Sequence, residues 1–486
     1  MIPDARRAGA RAQNVECPGA RENEMNIVLA TLVVGCVAYL IIKKYKSQTT
    51  LFAGGILLML LAYVLGYKTN FVPSKNSLGL PLFDIFEYIS LLFSKDAAHL
   101  GLMIMAITGF AKYMDAIGAS STLVHLAMKP LGRLNAPYVV MSLSFLLCMF
   151  MALFISSASG LAMLMMVTVF PILTSLGVSR LGAASVVSTG HLLDIGPSSA
   201  TTMLVAKTAN VDVGVLFVDY QLETYIVTGL AAATAHYFWQ RHLDRRDAAS
   251  GRVEEPAAVE ISDKDMAGVA PPGPTVFAIL PMLPLFFLLG CGEYGFKSVK
   301  MTVVTAMLLS LSISMLFVLV HKRDLKHTFA SAQAFFKGMG DQFTMTITLI
   351  VAGQTFAFGL QSIGAVADAV TASQNLGLSA TLVLLLICAV IVMFSVVMGS
   401  GVAPMFAFSP LMPDIAKGMG GNLVEMLLAV QNSASLGRLL SPITAVIVAV
   451  AGLARLNPVD LVKRNSVPVL VSLIVSMICS LTFHSA

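Results

Sequence analysis

Arg438 stands inside a long apolar run, surrounded between Gln431 and Gly452 by Asn432, Ser433, Ser435, Gly437, Ser441 and Pro442. Inserting a guanidinium at that depth costs roughly 2.5 to 3.5 kcal/mol even on the mildest scale, so it calls for a role. Its donors can hold a carboxylate bidentately, or they can satisfy the carbonyls of an interrupted helix. Both readings stand on residue type alone. Ser441-Pro442 predicts a fresh half-helix with serine at N-cap and proline at N1, where the missing donor is harmless. Free amides at such a start attract an anion.

Three further polar interruptions fall within apolar segments. The run Asp194-Ile195-Gly196-Pro197-Ser198-Ser199 is followed by Thr201 and Thr202, and the runs 156–160 and 399–401 are built from Ser, Ala and Gly. Ser159 and Ser400 are predicted to N-cap the returning arms of two hairpins. A helical turn would bring His191 onto Asp194, as a proton-coupling pair or as a satisfied structural one. Lys112 and Asp115, also three apart within a span, are expected to neutralise each other.

The candidate substrate contacts are therefore Ser157, Ser159, Gly160, Ser198, Ser199, Ser400, Gly401, Asn432, Ser433, Ser435, Arg438 and Ser441. His191, Asp194 and Thr201 are the candidates for coupling to Na+ or H+. Hydroxyls and amides desolvate carboxylates yet let them leave, which suits a small anion with two charged ends. The competing reading is that small residues only permit close helix packing. A serine hydrolase using Ser157 or Ser159 with His191 is a third possibility, but such a pair has no reason to occur twice. No glycine loop with lysine signals ATP drive. Five of the six cysteines, Cys36, Cys148, Cys291, Cys388 and Cys479, lie singly in apolar segments, so neither a metal site nor any other cofactor is expected.

The elements that position these residues follow from composition. The 486 residues are 57% hydrophobic and 12% charged, with mean hydropathy +0.83, which specifies an all-α polytopic membrane protein and gives no reason for a nucleic-acid partner. Apolar segments fall near 27–43, 51–67, 99–117, 137–156, 159–176, 181–206 and 222–240. A second set follows near 275–291, 299–320, 343–363, 379–398, 402–416, 424–452 and 466–483. The two sets match at an offset near 245, pairing Gly109 with Gly353, Ser159-Gly160 with Ser400-Gly401 and Pro197 with Pro442.

Repeats with an odd number of segments are inverted. Each is expected to supply spanning helices, a re-entrant hairpin and a broken helix, as in an elevator-type secondary transporter. The first repeat spans 25–240 and the second 275–486, joined by a polar linker over 241–274. Loops assigned to the cytoplasm hold eighteen Lys and Arg residues against seven opposite, which agrees with the inversion and puts the linker inside. The stretches 77–93 and 321–340 are amphipathic and predict interfacial helices. Residues 1–24 lack an apolar core, are not a secretory signal, and are expected to be a non-native or disordered extension before Met25.

At SSASGLAMLMMVTVFP, GSGVAPMFAF, SLGRLLSPITAVIVAVAG and NPVDLVKRNSVPVL the chain resembles the DcuC family of anaerobic C4-dicarboxylate carriers, and the likeness runs from about Met25 to the C-terminus. The family belongs to the ion-transporter superfamily, with inverted repeats, two hairpins, two unwound helices and usually a dimer. The resemblance implies a multi-pass protein of the bacterial inner membrane that exports succinate or exchanges it with fumarate or malate. It also implies substrate and cation contacts at Ser157, Ser159, Ser400, Asn432, Ser433 and Ser441, with Arg438 in a matching motif. The chain departs from the family pattern in having Val402 where asparagine is frequent, and in carrying His191 and Asp194.

Overall fold

The computed structural model describes residues 20–250, 270–291, 295–296, 299 and 301–482, and all regular structure among them is helical. The expectation for residues 1–24 falls largely outside this range. In chain order the first set of helices is α1 Ala20–Ile42, α2 Ser47–Val64, α3 Pro81–Asp96, α4 Leu102–Ala116, α5 Ala119–Met128, α6 Pro137–Ala152 and α7 Ala158–Ser175. It continues with α8 Arg180–Thr189, α9 Ala200–Ala209, the short α10 Val213–Val215 and α11 Leu222–Ala249. The second set is α12 Leu283–Gly290, α13 Val303–Lys322, α14 Leu325–Gln342, α15 Thr348–Ser362, α16 Ala365–Asn375 and α17 Ala380–Met398. After it come α18 Val402–Phe408, α19 Met412–Met419, α20 Leu423–Gly437, α21 Ala445–Leu453 and α22 Pro458–Thr482.

Among the described residues, eight helical runs are long and apolar enough to cross a bilayer. The order of elements recurs. The amphipathic α3 passes through a π-turn at 97–101 into α4, and the amphipathic α14 passes through a π-turn at 343–347 into α15. Both arms end on a glycine in the left-handed region, Gly118 at φ 74° and Gly364 at φ 76°, where a side chain would be strained. A short helix, a two-armed hairpin and a broken helix follow each arm.

The arms cross at glycines. Gly55 of α2 approaches the main chain of α15 so closely that an added Cβ would lie 2.6 Å from Phe356 N, and Gly109 of α4 abuts Phe335 O of α14 at 2.7 Å in the same sense. Without a hydrophobic driving force between helices in lipid, such close approach supplies the van der Waals contact that holds them. Tyr88 of α3 stacks on Phe358 of α15 with centroids 3.9 Å apart. In the loop after α2, Lys68 Nζ lies 4.1 Å from the same ring, and burial there pulls its ammonium below the ordinary lysine range.

The polar linker begins later than its composition suggests, because residues 241–249 continue α11. The reason is an ion cluster at its end. Arg464 of α22, 4% exposed, reaches Asp244 at 2.7 Å and Asp247 at 2.5 Å. Asp244 also accepts from Tyr138 Oη at 3.0 Å and Ser179 Oγ at 2.6 Å, so α6, α8, α11 and α22 meet on one carboxylate. At the linker's far end Gly273 N donates to Thr122 Oγ1 of α5 at 2.7 Å.

Removing one partner of a buried pair strands the others, so Arg464→Met is expected to cost about 3 kcal/mol, read as a lowered melting temperature in detergent. Lys463→Met, which breaks an exposed pair with Asp460, should change stability by less than about 0.5 kcal/mol. Equal effects of the two substitutions would reject the cluster as a clamp.

Candidate functional site

The two hairpins turn on short polar tips. In the first, the chain is extended at Ser157, whose Oγ accepts from Gly160 N at 3.1 Å and caps α7. The cap thus falls two residues before the expected Ser159, whose hydroxyl is left unspent. In the second, Gly399 closes α17 at φ 63°, and α18 begins after Gly401 without a side-chain cap, so Ser400 does not cap it either. The physical reason is contact: a Cβ on Gly401 would sit 2.3 Å from Ala434 O, so this tip rests directly on the main chain of α20. The first tip, 156–160, is half-buried, as are Gly399 and Ser400 of the second, while Gly401 is buried. Asp115 of α4 lies beside the first, 3.9 Å from where a Gly160 Cβ would be, while the exposed Lys112 lays its stem on Gly338.

The first broken helix is satisfied in part by the second, which closes on its own residues. The first break runs over 190–199 and restarts at α9, where Ser199 Oγ accepts from Thr202 N. The second runs over 438–444, and Thr444, not Ser441, stands at the start of α21. Thr444 Oγ1 instead donates to the Arg438 carbonyl, which moves the new helix three residues on and leaves Ser441 Oγ buried without a partner.

Arg438 reaches across from the second break to the first, with one guanidinium nitrogen 3.2 Å from His191 Nδ1 and 3.2 Å from His191 O. A guanidinium only donates, so Nδ1 is the accepting nitrogen and the ring proton sits on Nε2. The helical turn expected to join His191 to Asp194 is absent, because α8 ends at Thr189 and the histidine turns to Arg438. The Asp194 carboxylate still acts electrostatically on Arg438, and its Oδ2 accepts from Thr201 Oγ1 at 3.3 Å. Asp194 N donates to Ser435 Oγ at 3.3 Å. Ser199 and Thr201 hydroxyls both donate to Asp194 O.

The structure therefore gathers His191, Asp194, Ser199, Thr201, Ser435 and Arg438 into one network. Ser198 Oγ ties the first break to Leu153 O of the first hairpin at 2.8 Å. Asn432 turns the other way, its amide 3.4 Å from Ser480 of α22, and Ser433 Oγ is buried without a partner. Gln431 and Gln221 are central to the network, with Thr202 of the first interruption, yet neither glutamine is among the candidates that residue type picks out. The available signal was two glutamines, one inside an apolar run and one at the edge of another. Asp194 and Ser198 are half-buried within the first break, as are Arg438, Leu440 and Pro442 in the second, and the buried Arg438 Nε has no partner.

Residues 25–485 match the family model for the C4-dicarboxylate anaerobic carrier, DcuC. The chain belongs to the DcuC family. It is 32% identical over 463 residues to the "Anaerobic C4-dicarboxylate transporter DcuC" of Escherichia coli (strain K12), covering 94% of this chain and 96% of that one. A "Probable anaerobic C4-dicarboxylate transporter DcuC" from Vibrio cholerae serotype O1 is 32% identical over 456 residues, covering 93% and 97%. Among solved structures, the YdaH transporter of Alcanivorax borkumensis superposes with TM-score 0.59 at 15% identity, covering 90% of this chain and 98% of that one. MtrF of Neisseria gonorrhoeae gives TM-score 0.55 at 13% identity, covering 89% and 95%.

These two likenesses show the fold. The DcuC relatives are bacterial transporters, which sets aside a hydrolase, and eight apolar helical runs make this family member a multi-pass protein of the inner membrane.

The seating of the second tip generates a test. Gly401→Ala drives a Cβ into backbone that cannot give, and is expected to cost 1 to 3 kcal/mol or more, on the order of overpacked cores. Gly452→Ala, with nothing within 4 Å, should leave the melting temperature unchanged or raise it slightly. Wild-type stability and transport in Gly401→Ala would show that the tip does not rest on α20.

Proposed function

We propose that this DcuC-family protein is a secondary active transporter of small C4-dicarboxylates, exporting succinate or exchanging it for fumarate or malate. The observation that carries the reading is Arg438: a half-buried cation between two helix breaks, held by His191 on one side, with Nε free. A carboxylate of the substrate takes the free donors, and the hydroxyls and amides of the tips take the rest of its polar surface. Loss of one charge-assisted contact costs about 1.5 to 3 kcal/mol, enough for recognition without trapping. Family membership supports the substrate class.

In this reading the chain is two inverted repeats. The hairpins α6–α7 and α17–α19 move with the broken helices α8–α9 and α20–α21 as an elevator. The crossed arms stay fixed and hold a homodimer. A Na+ or H+ is the coupling cation, and Asp194, beside Thr201 and His191, is where it acts.

Counterflow of radiolabelled succinate into proteoliposomes tests the substrate. Exchange against internal succinate, fumarate or malate is expected; none, from folded protein, would reject the assignment. Arg438→Ala should weaken succinate on the order of 10- to 100-fold without loss of folded protein, and wild-type affinity in that variant removes Arg438 from the site. His191→Gln keeps an acceptor for Arg438 but cannot titrate, so it should flatten the pH dependence of transport. An unchanged profile would rule out His191 as the proton carrier.

A further inference from the structure

Two glutamines outside the groups assigned above close a chain of hydrogen bonds around the first break. Gly196 N donates to Gln221 Oε1 at 3.2 Å, Gln221 Nε2 donates to Gln431 Oε1 at 3.0 Å, and Gln431 Nε2 donates to Asp194 O at 2.8 Å. The directions are not free. A main-chain N–H can only donate and a main-chain carbonyl can only accept, so the two ends fix which way both amides point. Thr201 and Thr202 hydroxyls complete the ring, 3.0 and 3.1 Å from Gln431 Nε2. Gln221 is 1% exposed and Gln431 fully buried, so water cannot replace either partner.

The chain starts and ends on the same turn, two residues apart. It pins 194–196 to α20 and to the π-turn at 216–221, with Gly196 at φ 104°, which its missing side chain permits. That turn carries Asp194 and follows His191, the two groups set around Arg438.

We propose that Gln221 and Gln431 are positioning residues that aim the first break at Arg438 and so set affinity for the carried anion. The relay rests on the transport reading only for its consequence. The clamp on 190–199 is separate.

Gln431→Leu removes two of the three links, those to Gln221 and to Asp194 O, and leaves Gly196 N on Gln221. Amide hydrogen exchange of 190–199 should become faster, and the succinate KM should rise about tenfold with little change in kcat. Gln431→Glu is the discriminating variant. As a carboxylate it accepts from Gln221 but cannot donate to Asp194 O; protonated, its hydroxyl donates there while its carbonyl still accepts.

Affinity in Gln431→Glu should therefore recover toward wild type as pH falls, burial favouring the neutral form, whereas Gln431→Leu follows the wild-type profile at a raised KM. His191, Asp194 and Arg438, the titratable groups of the network, are the same in both variants, and wild type is measured in parallel. Should Gln431→Leu fail to fold, the acid recovery of Gln431→Glu decides alone. Unchanged exchange at 190–199, or no acid recovery, overturns the relay. Faster exchange with wild-type KM overturns its positioning role. If wild-type protein does not exchange succinate while the variants loosen 190–199, the substrate reading fails and the clamp stands.

Discussion

Every main-chain group freed where a membrane helix breaks must find a partner inside the protein, because hydrocarbon offers none. Here the second broken helix helps close the first. Arg438 donates to the carbonyl of His191, Ser435 of α20 accepts from the amide of Asp194, and Gln431 of α20 donates to the Asp194 carbonyl. The second break adds its own closure through Thr444. The first break is not satisfied in isolation, and a few polar atoms of α20 and the second break, Arg438 Nε and Ser441 Oγ among them, are buried without a partner.

The surrounding helices divide according to how they are held. The arms α2, α4, α14 and α15 meet backbone to backbone at glycines and carry few polar ties, so dispersion over a long crossing dominates. At the opposite extreme, α6, α8, α11 and α22 converge on Asp244 and Arg464, where charge and hydrogen bonds fix four elements at one point. A buried ion cluster of this kind contributes less to net stability than to a fixed arrangement, since its desolvation offsets much of its attraction. A half-buried ion pair, Lys207 of α9 with Asp96 of α3 at 2.5 Å, joins a broken helix to an arm.

Much of the architecture was legible because membrane physics constrains sequence so strongly. The length of the apolar runs, the amphipathic α3 and α14, the two interrupted helices and the hairpin turns all follow from the need to keep polar groups out of lipid. The caps were less legible. Ser159, Ser400 and Ser441 are sound N-cap residues by type, but capping depends on where the chain turns extended, and contacts from other helices set that point. Gly401 against Ala434 is one case and Thr444 on the Arg438 carbonyl another.

By itself the sequence determined that this is an all-helical membrane protein of the DcuC family, that four polar interruptions occur, and that Arg438, His191 and Asp194 lie among them. It did so because insertion cost and family motifs are local properties. Only the tertiary structure decided that His191 answers Arg438 rather than Asp194, that Asn432 faces α22, and that Gln221 and Gln431 close on the first break. Arg438 with His191, Gln221 with Gln431, and Gln431 with Asp194 are each more than two hundred positions apart, while Asn432 and Ser480 are 48 apart. No spacing along the chain encodes which buried donor meets which acceptor; packing brings them within hydrogen-bond reach, and the absence of water then makes the choice binding.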